Sequence, residues 1–301
     1  MQYFYIHPLR PQFFFPKGFI KHKVFISFYK PYSPFGYISW FLFRNIGIYR
    51  LFFLKRNIEN YIPEIHIRKI LNTEAPMAFN MGTKGREQKI TALGFDKKQY
   101  FFIKYAQTQI SRELVSNEYN ILNRLAIYDF VPKIISFYQD KNEILLKTSV
   151  LKGERVNTVK INQLILNRLY DLAQVNIDNL CNKYKKIKYS FAHGDFCPWN
   201  MMDYNGNIQI FDWEMAGVYP LGFDLFTFIY QTNFLLNPEK IFSVILEENE
   251  LFILEYFHKY GVKDWKLYLI HFCEIKINSE KKKGVNSMLN QYKLLLQYSY
   301  S

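Results

Sequence analysis

FAHGDFCPWNMMDYNGNIQIFDWEMAGVYPLGFDL, residues 191–225, decides how the rest of the chain is read. It sets Asp195 and Asn200 five residues apart and places Asp212 seventeen residues after Asp195, at the end of an apolar run. Residues 200–204 and 207–211 are short, mostly apolar runs joined by Asn205-Gly206, the strongest short hairpin signal there is. Closing that hairpin is expected to bring Asp212 back beside Asn200 and Asp195. Phosphoryl transfer asks a protein for positioning and charge neutralisation more than for covalent help. An Asp in a tight loop orients an acceptor hydroxyl and takes its proton, while an Asn and a second Asp hold a magnesium ion that bridges nucleotide phosphates. The spacing supplies those parts.

The stretch resembles the catalytic core of the aminoglycoside phosphotransferase and choline kinase group, within the protein-kinase-like superfamily. Carried over residue by residue, the resemblance implies Asp195 as catalytic base and Asn200 and Asp212 as magnesium ligands. It implies His193 as the packing His of the catalytic loop and Asp224, in Gly222-Phe223-Asp224-Leu225, as the brace of that loop. His-Gly-Asp stands where a protein kinase has His-Arg-Asp, and Asp-Trp-Glu where it has Asp-Phe-Gly; both departures point to a small-molecule kinase. Singly, such triplets are common by chance. Their joint occurrence in this order, with the Asn and the hairpin between them, carries the reading. The wording HGDFCPWN and FDWE is also similar to bacterial phosphotransferases associated with surface-polysaccharide assembly.

A fold of this kind needs a glycine loop, a strand Lys and a helix Glu upstream. Residues 77–93 read MAFNMGTKGREQKITAL, with Gly82 and Gly85 between two strand-like runs, where backbone amides can approach phosphates without a clashing side chain. Two glycines near basic residues make an ordinary hairpin turn more often than a phosphate cradle. Residues 100–105, YFFIKY, read as a strand whose one charged residue is Lys104. The helical pattern over 111–126 carries Glu118 fourteen residues downstream, with Leu114, Ile121, Leu122 and Leu125 on a common face. Glu118 is therefore the expected ion-pair partner of Lys104, set against the alternatives of a snorkelling Lys and a solvated Glu.

Residues 131–135 and 143–150 read as two further strands, completing a five-stranded sheet. Residues 151–154, LKGE, break the pattern where the resembling enzymes have the adenine hinge, whose contacts come from backbone groups. Helical patterns follow over 161–180, 221–235, 240–260 and from 264 onward. The expected fold is α+β and two-lobed, protein-kinase-like, with an antiparallel five-stranded amino-terminal sheet carrying one main helix and a largely helical carboxy-terminal lobe. Expected boundaries are an extension over 1–74 packed on the amino-terminal lobe, that nucleotide-binding lobe over 75–152, and a catalytic and acceptor-binding lobe over 153–301.

Composition bounds the rest. The length of 301 residues suffices for two lobes and an extension. Cys181, Cys197 and Cys273 show no paired or metal-ligand spacing, which favours a reducing, cytoplasmic setting. Cys197 lies in the catalytic loop without a His partner for nucleophilic work, so it reads as a small packing residue. Residues 1–70 hold 11 Lys and Arg against 2 Asp and Glu, a net +9 of the chain's +13, together with 20 of its 57 aromatic residues. A transmembrane helix is disfavoured there because residues 35–54 include Arg44, Asn45 and Arg50. No signal-peptide pattern fits either. What competes is packing of the aromatics on the amino-terminal lobe against an interfacial element, in which Phe41, Leu42, Ile46, Ile48, Tyr49, Phe52 and Phe53 with interspersed Arg and Lys touch anionic headgroups at the inner face of the membrane. Basic and aromatic residues interleave as in single-strand binders, but no nucleic-acid motif is present, and no specific nucleic-acid partner is expected. The run Lys281-Lys282-Lys283-Gly284 reads as an exposed loop between helices, and the basic run at 183–188 as a solvated face.

The sequence thus predicts a phosphotransferase that uses ATP, or another nucleoside triphosphate, with Mg²⁺ and acts on a hydroxyl of a small molecule, a sugar or a lipid-linked glycan. Polycationic drugs call for an acidic cleft, whereas residues 180–301 balance at 13 basic and 13 acidic, which favours a sugar over an aminoglycoside. The rival from another class is a catalytically inactive kinase-like scaffold, disfavoured because Lys104, Glu118, Asp195, Asn200 and Asp212 are all present. A protein kinase is disfavoured by the short interval between Asp212 and Asp224, which leaves no room for a peptide-binding activation segment.

Overall fold

Short apolar segments with residues alternating between two faces build an antiparallel sheet of seven strands whose spatial order, numbered along the chain, is 1-2-3-4-5-7-6. The computed structural model describes residues 2–6, 12–21, 23–29, 34–45, 58–176, 187–283 and 288–300. Five strands come from the part of the chain where five were expected: β3 (Met77–Asn80), β4 (Lys89–Asp96), β5 (Gln99–Ala106), β6 (Ile134–Gln139) and β7 (Ile144–Ser149). The amino-terminal extension adds two more, β1 (Tyr3–Ile6) and β2 (Phe13–Pro16), with Phe13 opposite Asn80 and Phe14 opposite Phe79.

The added strands are buried on both faces, and their sequence shows why. Tyr3, Phe14, Met77, Phe79, Ala92, Phe101, Ile103 and Tyr105 meet Ile67 of α3 (Glu64–Leu71), with Ile58 and Ile62 before it, in one core. The alternate positions, Phe4, Phe15, Ala78 and Leu93, form a second core with Phe25 of α1 (Lys23–Phe28) and Trp40 and Phe43 of α2 (Pro34–Asn45). A strand enclosed on both sides has no reason to alternate polar with apolar, which is why residues 13–15 are uninterrupted Phe. A polar latch ties β1 to α3. Tyr3 Oη donates to Glu64 Oε1 at 2.5 Å, Arg68 Nε donates to the same oxygen at 2.7 Å, and Arg68 Nη1 donates to the Ala75 carbonyl at 2.7 Å. Ile46, Ile48, Tyr49, Phe52 and Phe53 of the expected interfacial stretch lie outside the described residues.

The chain divides into two compact units. Residues 1–123 with 132–150 form the first, which holds the seven-stranded sheet and α4 (Gln109–Arg124) up to its last residue. Residues 124–131 with 151–301 form the second. Its helices are α5 (Gln163–Gln174), α6 (Phe223–Phe226), a π-helical turn Thr227–Gln231, α7 (Thr232–Leu236), α8 (Phe242–Lys259), α9 (Trp265–Lys283) and α10 (Leu289–Tyr300). Two small sheets complete it: β8 (Glu154–Arg155) with β10 (Met201–Tyr204) and β11 (Asn207–Ile210), and β9 (Tyr189–Ala192) with β12 (Gly217–Pro220). Lys281–Lys283, expected in a loop, form the carboxy-terminal end of α9 instead, while Gly284 lies outside the described residues. Among the described residues no helix is long and apolar enough to cross a membrane.

Candidate active site

In the first unit, Lys104 sits on β5 between Thr91 of β4 and Leu146 of β7. Glu118 occupies the buried face of α4, together with Val115, Ile121 and Leu122. Lys104 Nζ donates to Glu118 Oε2 at 2.5 Å, and the two residues are only 7% and 3% exposed. The turn between β3 and β4 holds both glycines at positive φ, +70° for Gly82 and +152° for Gly85. At Gly82 the freedom is required, because a Cβ there would lie 2.3 Å from the Lys89 carbonyl oxygen. The turn is braced from the extension: Met81 N donates to the Gln12 carbonyl at 3.0 Å, and Gln12 Nε2 to the Gly82 carbonyl at 3.4 Å.

In the second unit, β9 delivers the chain to His193, Gly194 and Asp195. Asp224, at the start of α6, accepts the His193 N–H on Oδ2 at 2.6 Å and the Gly194 N–H on Oδ1 at 2.9 Å. Burial pushes the Asp224 carboxyl up, opposed by those two amides and by Lys276. His193 is fully buried against the edge of Trp213, ring centroids 4.7 Å apart. Its Nε2 lies 3.1 Å from the Phe211 carbonyl and its Nδ1 3.3 Å from the Asp195 N–H, a pair of contacts that fits only the tautomer protonated on Nε2. Gly194 has φ +84°, and a Cβ on it would lie 2.3 Å from the Met215 carbonyl oxygen. The residue between the packing His and the Asp is therefore restricted to glycine by its backbone and by its neighbour.

Asp195 is held by both carboxylate oxygens. Asn200 Nδ2 donates to Oδ2 at 2.8 Å and to the Asp195 carbonyl at 3.0 Å. Gln231 Nε2 donates to Oδ1 at 2.6 Å. Asn200 closes a 3₁₀ turn, Pro198–Asn200, and leads into β10, whose Met201 pairs with Ile210 of β11. The connecting Asn205 and Gly206 both have positive φ, 55° and 80°, the pattern of the tight hairpin turn expected from the sequence. Phe211 N donates to the Asn200 carbonyl at 3.1 Å, so the hairpin returns the chain to Asn200 one residue before Asp212. Asp212 itself is left-handed, φ 69° and ψ 58°. That conformation is uncommon for a residue with a Cβ and recurs where function constrains the backbone.

The structure brings together Lys104 and Glu118, Asp195 and Asn200, and His193 and Asp224, of which the first was expected as an ion pair. Sequence reading missed Gln231, on the π-helical turn, and Lys276, on α9, whose Nζ donates to Gln231 Oε1 at 2.9 Å. Their one signal was polarity inside apolar surroundings, a Gln in the run FTFIYQTNFLL, residues 226–236. Cys197 is fully buried, and burial with the nearby Asp195 charge raises its thiol well above the ordinary range, as befits a packing residue and not a nucleophile. Cys181 lies outside the described residues.

Residues 166–266, which include the whole of this loop and brace, match the sequence model of the phosphotransferase enzyme family. The match, over about a third of the chain, is to a family of phosphotransferases. Solved structures of similar fold include amicoumacin kinase hAmiN in complex with AMP-PNP, Ca²⁺ and Ami, with TM-score 0.51 and 13% identity over 81% of this chain and 87% of that one. Aminoglycoside-3'-phosphotransferase of type VIII aligns with TM-score 0.51 and 12% identity over 77% of this chain and 97% of that one. Aminoglycoside phosphotransferase APH(4)-Ia aligns with TM-score 0.54 and 9% identity over 79% and 97%. At these identities the likeness is one of fold. No curated protein sequence matches the chain.

Proposed function

We propose that this phosphotransferase moves the γ-phosphoryl group of ATP to a hydroxyl of a sugar or lipid-linked glycan, with Asp195 as general base. The observation that carries the reading is the double clamp on Asp195, Asn200 on one oxygen and Gln231 on the other, in a loop fixed by Asp224. Oδ1 accepts from Gln231 and, at 3.8 Å, from the Cys197 thiol, whereas Oδ2 accepts from Asn200 and keeps a lone pair for an acceptor hydroxyl. The acceptor O–H passes its proton to Asp195 as its oxygen bonds to the γ-phosphorus. The bond from phosphorus to the β,γ-bridging oxygen breaks, and ADP leaves with the electron pair.

Asn200 and Asp212 suit magnesium, a cation that takes hard oxygen ligands. Asn200 spends its side-chain Nδ2 on Asp195, which leaves its side-chain Oδ1 for a cation. The metal, when bound, neutralises charge on the nucleotide phosphates. Lys104, oriented by Glu118, and the backbone amides around Gly82 and Gly85 are the proposed phosphate contacts, while His193 and Asp224 support the loop. Nucleotide and divalent metal accompany the amicoumacin kinase of similar fold, which supports the same pair here. Equal numbers of acidic and basic residues over 180–301 support a neutral sugar over a polycation. The test is incubation with ATP, magnesium and a panel of sugars, amino alcohols and cell-envelope extracts, with mass detection of an added phosphate. Absence of any phosphorylated product, together with an ATP thermal shift that ignores magnesium, would instead support a scaffold.

A second observation favours peripheral membrane contact. Helix α2 buries Trp40 and Phe43 but leaves Tyr37, Ile38 and Phe41 51%, 59% and 56% exposed, in a segment with net charge +9 over residues 1–70. Apolar insertion beside basic residues is the signature of binding to anionic interfaces. Sedimentation with phosphatidylserine vesicles should show binding that neutral vesicles do not, weakened but not lost at high salt.

A further inference from the structure

We infer that Gln231 is a positioning residue for Asp195, with its amide locked in one orientation by Lys276 and Tyr292. The inference rests on the role proposed above for Asp195. Gln231 is 7% exposed and lies at the end of the π-helical turn Thr227–Gln231. Its Nε2 donates to Asp195 Oδ1 at 2.6 Å, while its Oε1 accepts from Lys276 Nζ at 2.9 Å and from Tyr292 Oη at 3.2 Å. A flipped amide would point its NH₂ at an ammonium group, which has no lone pair to accept with, and its carbonyl at a carboxylate, which has no proton to give. The buried cation thereby sets which end of Gln231 faces Asp195.

Lys276 is well placed to hold this arrangement. It is 9% exposed, on α9, and its Nζ also donates to the Gly194 carbonyl at 3.3 Å. The rings of Phe223 and Phe272 lie 5.0 and 5.7 Å from the ammonium, a setting that favours a desolvated cation. One side chain thus reaches both the backbone next to Asp195 and the amide that grips its carboxylate. Asn200 holds Oδ2 from the loop itself, and Gln231 holds Oδ1 from a helix 36 residues away. Fixing both oxygens fixes the rotation of the carboxylate, so the lone pair that receives the proton keeps one direction. A π turn, where the helix takes one extra residue, is a known way to place a single side chain at a functional position.

The test measures turnover of magnesium-ATP, with water and with the acceptor panel, in the full-length protein. Gln231→Leu should lower kcat by roughly 10- to 100-fold, the range for one lost hydrogen bond to a charged group, and leave the KM for ATP within about twofold. Gln231→Glu keeps the shape and the contact with Lys276 but turns a carboxylate on Asp195, so it too should lower kcat while the protein stays folded. The discriminating measurement is the double variant: in Asp195→Ala, adding Gln231→Leu should change the residual rate less than about twofold, because the group it acts through is gone. If Gln231 is only a packing residue, the residual rate falls by the same factor in both backgrounds, and the inference is overturned. Wild-type kcat in Gln231→Leu beside a low kcat in Asp195→Ala overturns the inference and leaves the proposed function standing. Near-normal turnover in Asp195→Ala overturns both.

Discussion

Lys104 and Glu118 meet at 2.5 Å from the centre of a strand and the buried face of a helix, both almost out of solvent. A buried pair of this kind is costly to break from one side, because the charge left behind loses the opposite charge that compensates its desolvation. Lys104→Met should therefore destabilise the first unit by about 3 to 5 kcal/mol, and Lys104→Met with Glu118→Leu by much less. Urea unfolding of the four proteins in the cycle measures this. A double variant as unstable as the single would show that the pair is not the energetic unit. Both variants should lose the thermal shift given by magnesium-ATP.

Asp195→Ala should bind ATP almost normally and lower turnover by roughly 10² to 10⁴ fold, the contribution of a positioned base. Turnover within about threefold of wild type would refute the assignment. Asp212→Asn tests the metal side separately: ligand that binds only the folded state raises its melting temperature by mass action, and that rise should lose its magnesium-dependent part.

Gly194 and Gly206 offer a matched comparison, since their φ values are +84° and +80°. A Cβ at Gly206 meets nothing within 4 Å, so Gly206→Ala should cost only the left-handed penalty of about 1 to 2 kcal/mol. At Gly194 the same atom would press 2.3 Å from the Met215 carbonyl oxygen. Gly194→Ala should displace the catalytic loop and abolish activity, with a fall in melting temperature at least twice that of Gly206→Ala.

The buried thiols give a pH signature. Burial pushes Cys273 up to about 12 and raises Cys197 well above its ordinary value. An unfolded thiol titrates near about 8.5, so above that pH the unfolded chain releases protons that the native state keeps. The stability these groups contribute is fully present below about pH 8.5 and is lost as pH rises toward their folded values, at about 1.4 kcal/mol per pH unit for each thiol. Denaturant melts between pH 7 and 10.5 should show the decline. Cys273→Ala should flatten its slope by about one proton, and an unchanged slope would count against the effect.

Much of the candidate site was legible because its parts are local. Asp195, Asn200 and the Asn205-Gly206 turn follow from spacing, His193 and Asp224 from the resemblance, and Lys104 with Glu118 from a strand followed by one amphipathic helix. Gln231, Lys276 and Tyr292 were not legible, because tertiary packing alone joins residues 36, 45 and 61 positions apart. The extension was half legible. Its aromatics announced burial, but pairing of Phe14 with Phe79 is a long-range register that no local pattern encodes. Its dependence on that pairing is testable: Tyr3→Phe removes a buried donor to Glu64 and should cost about 1 to 3 kcal/mol. Deleting residues 2–17 should uncover the second core and leave an insoluble chain.

The strand that follows Asp212 carries one more consequence. All four residues of β12 pair with β9, from Gly217 opposite Ala192 to Pro220 opposite Tyr189, so backbone ladder bonds tie down the segment that leads to the Asp224 brace. In enzymes whose corresponding segment is long and loose, a phosphate must be attached to order it before catalysis begins. Here translation and folding complete that step. On the function proposed above, the reaction then needs no added phosphate to order this segment, because the β9 ladder already does so.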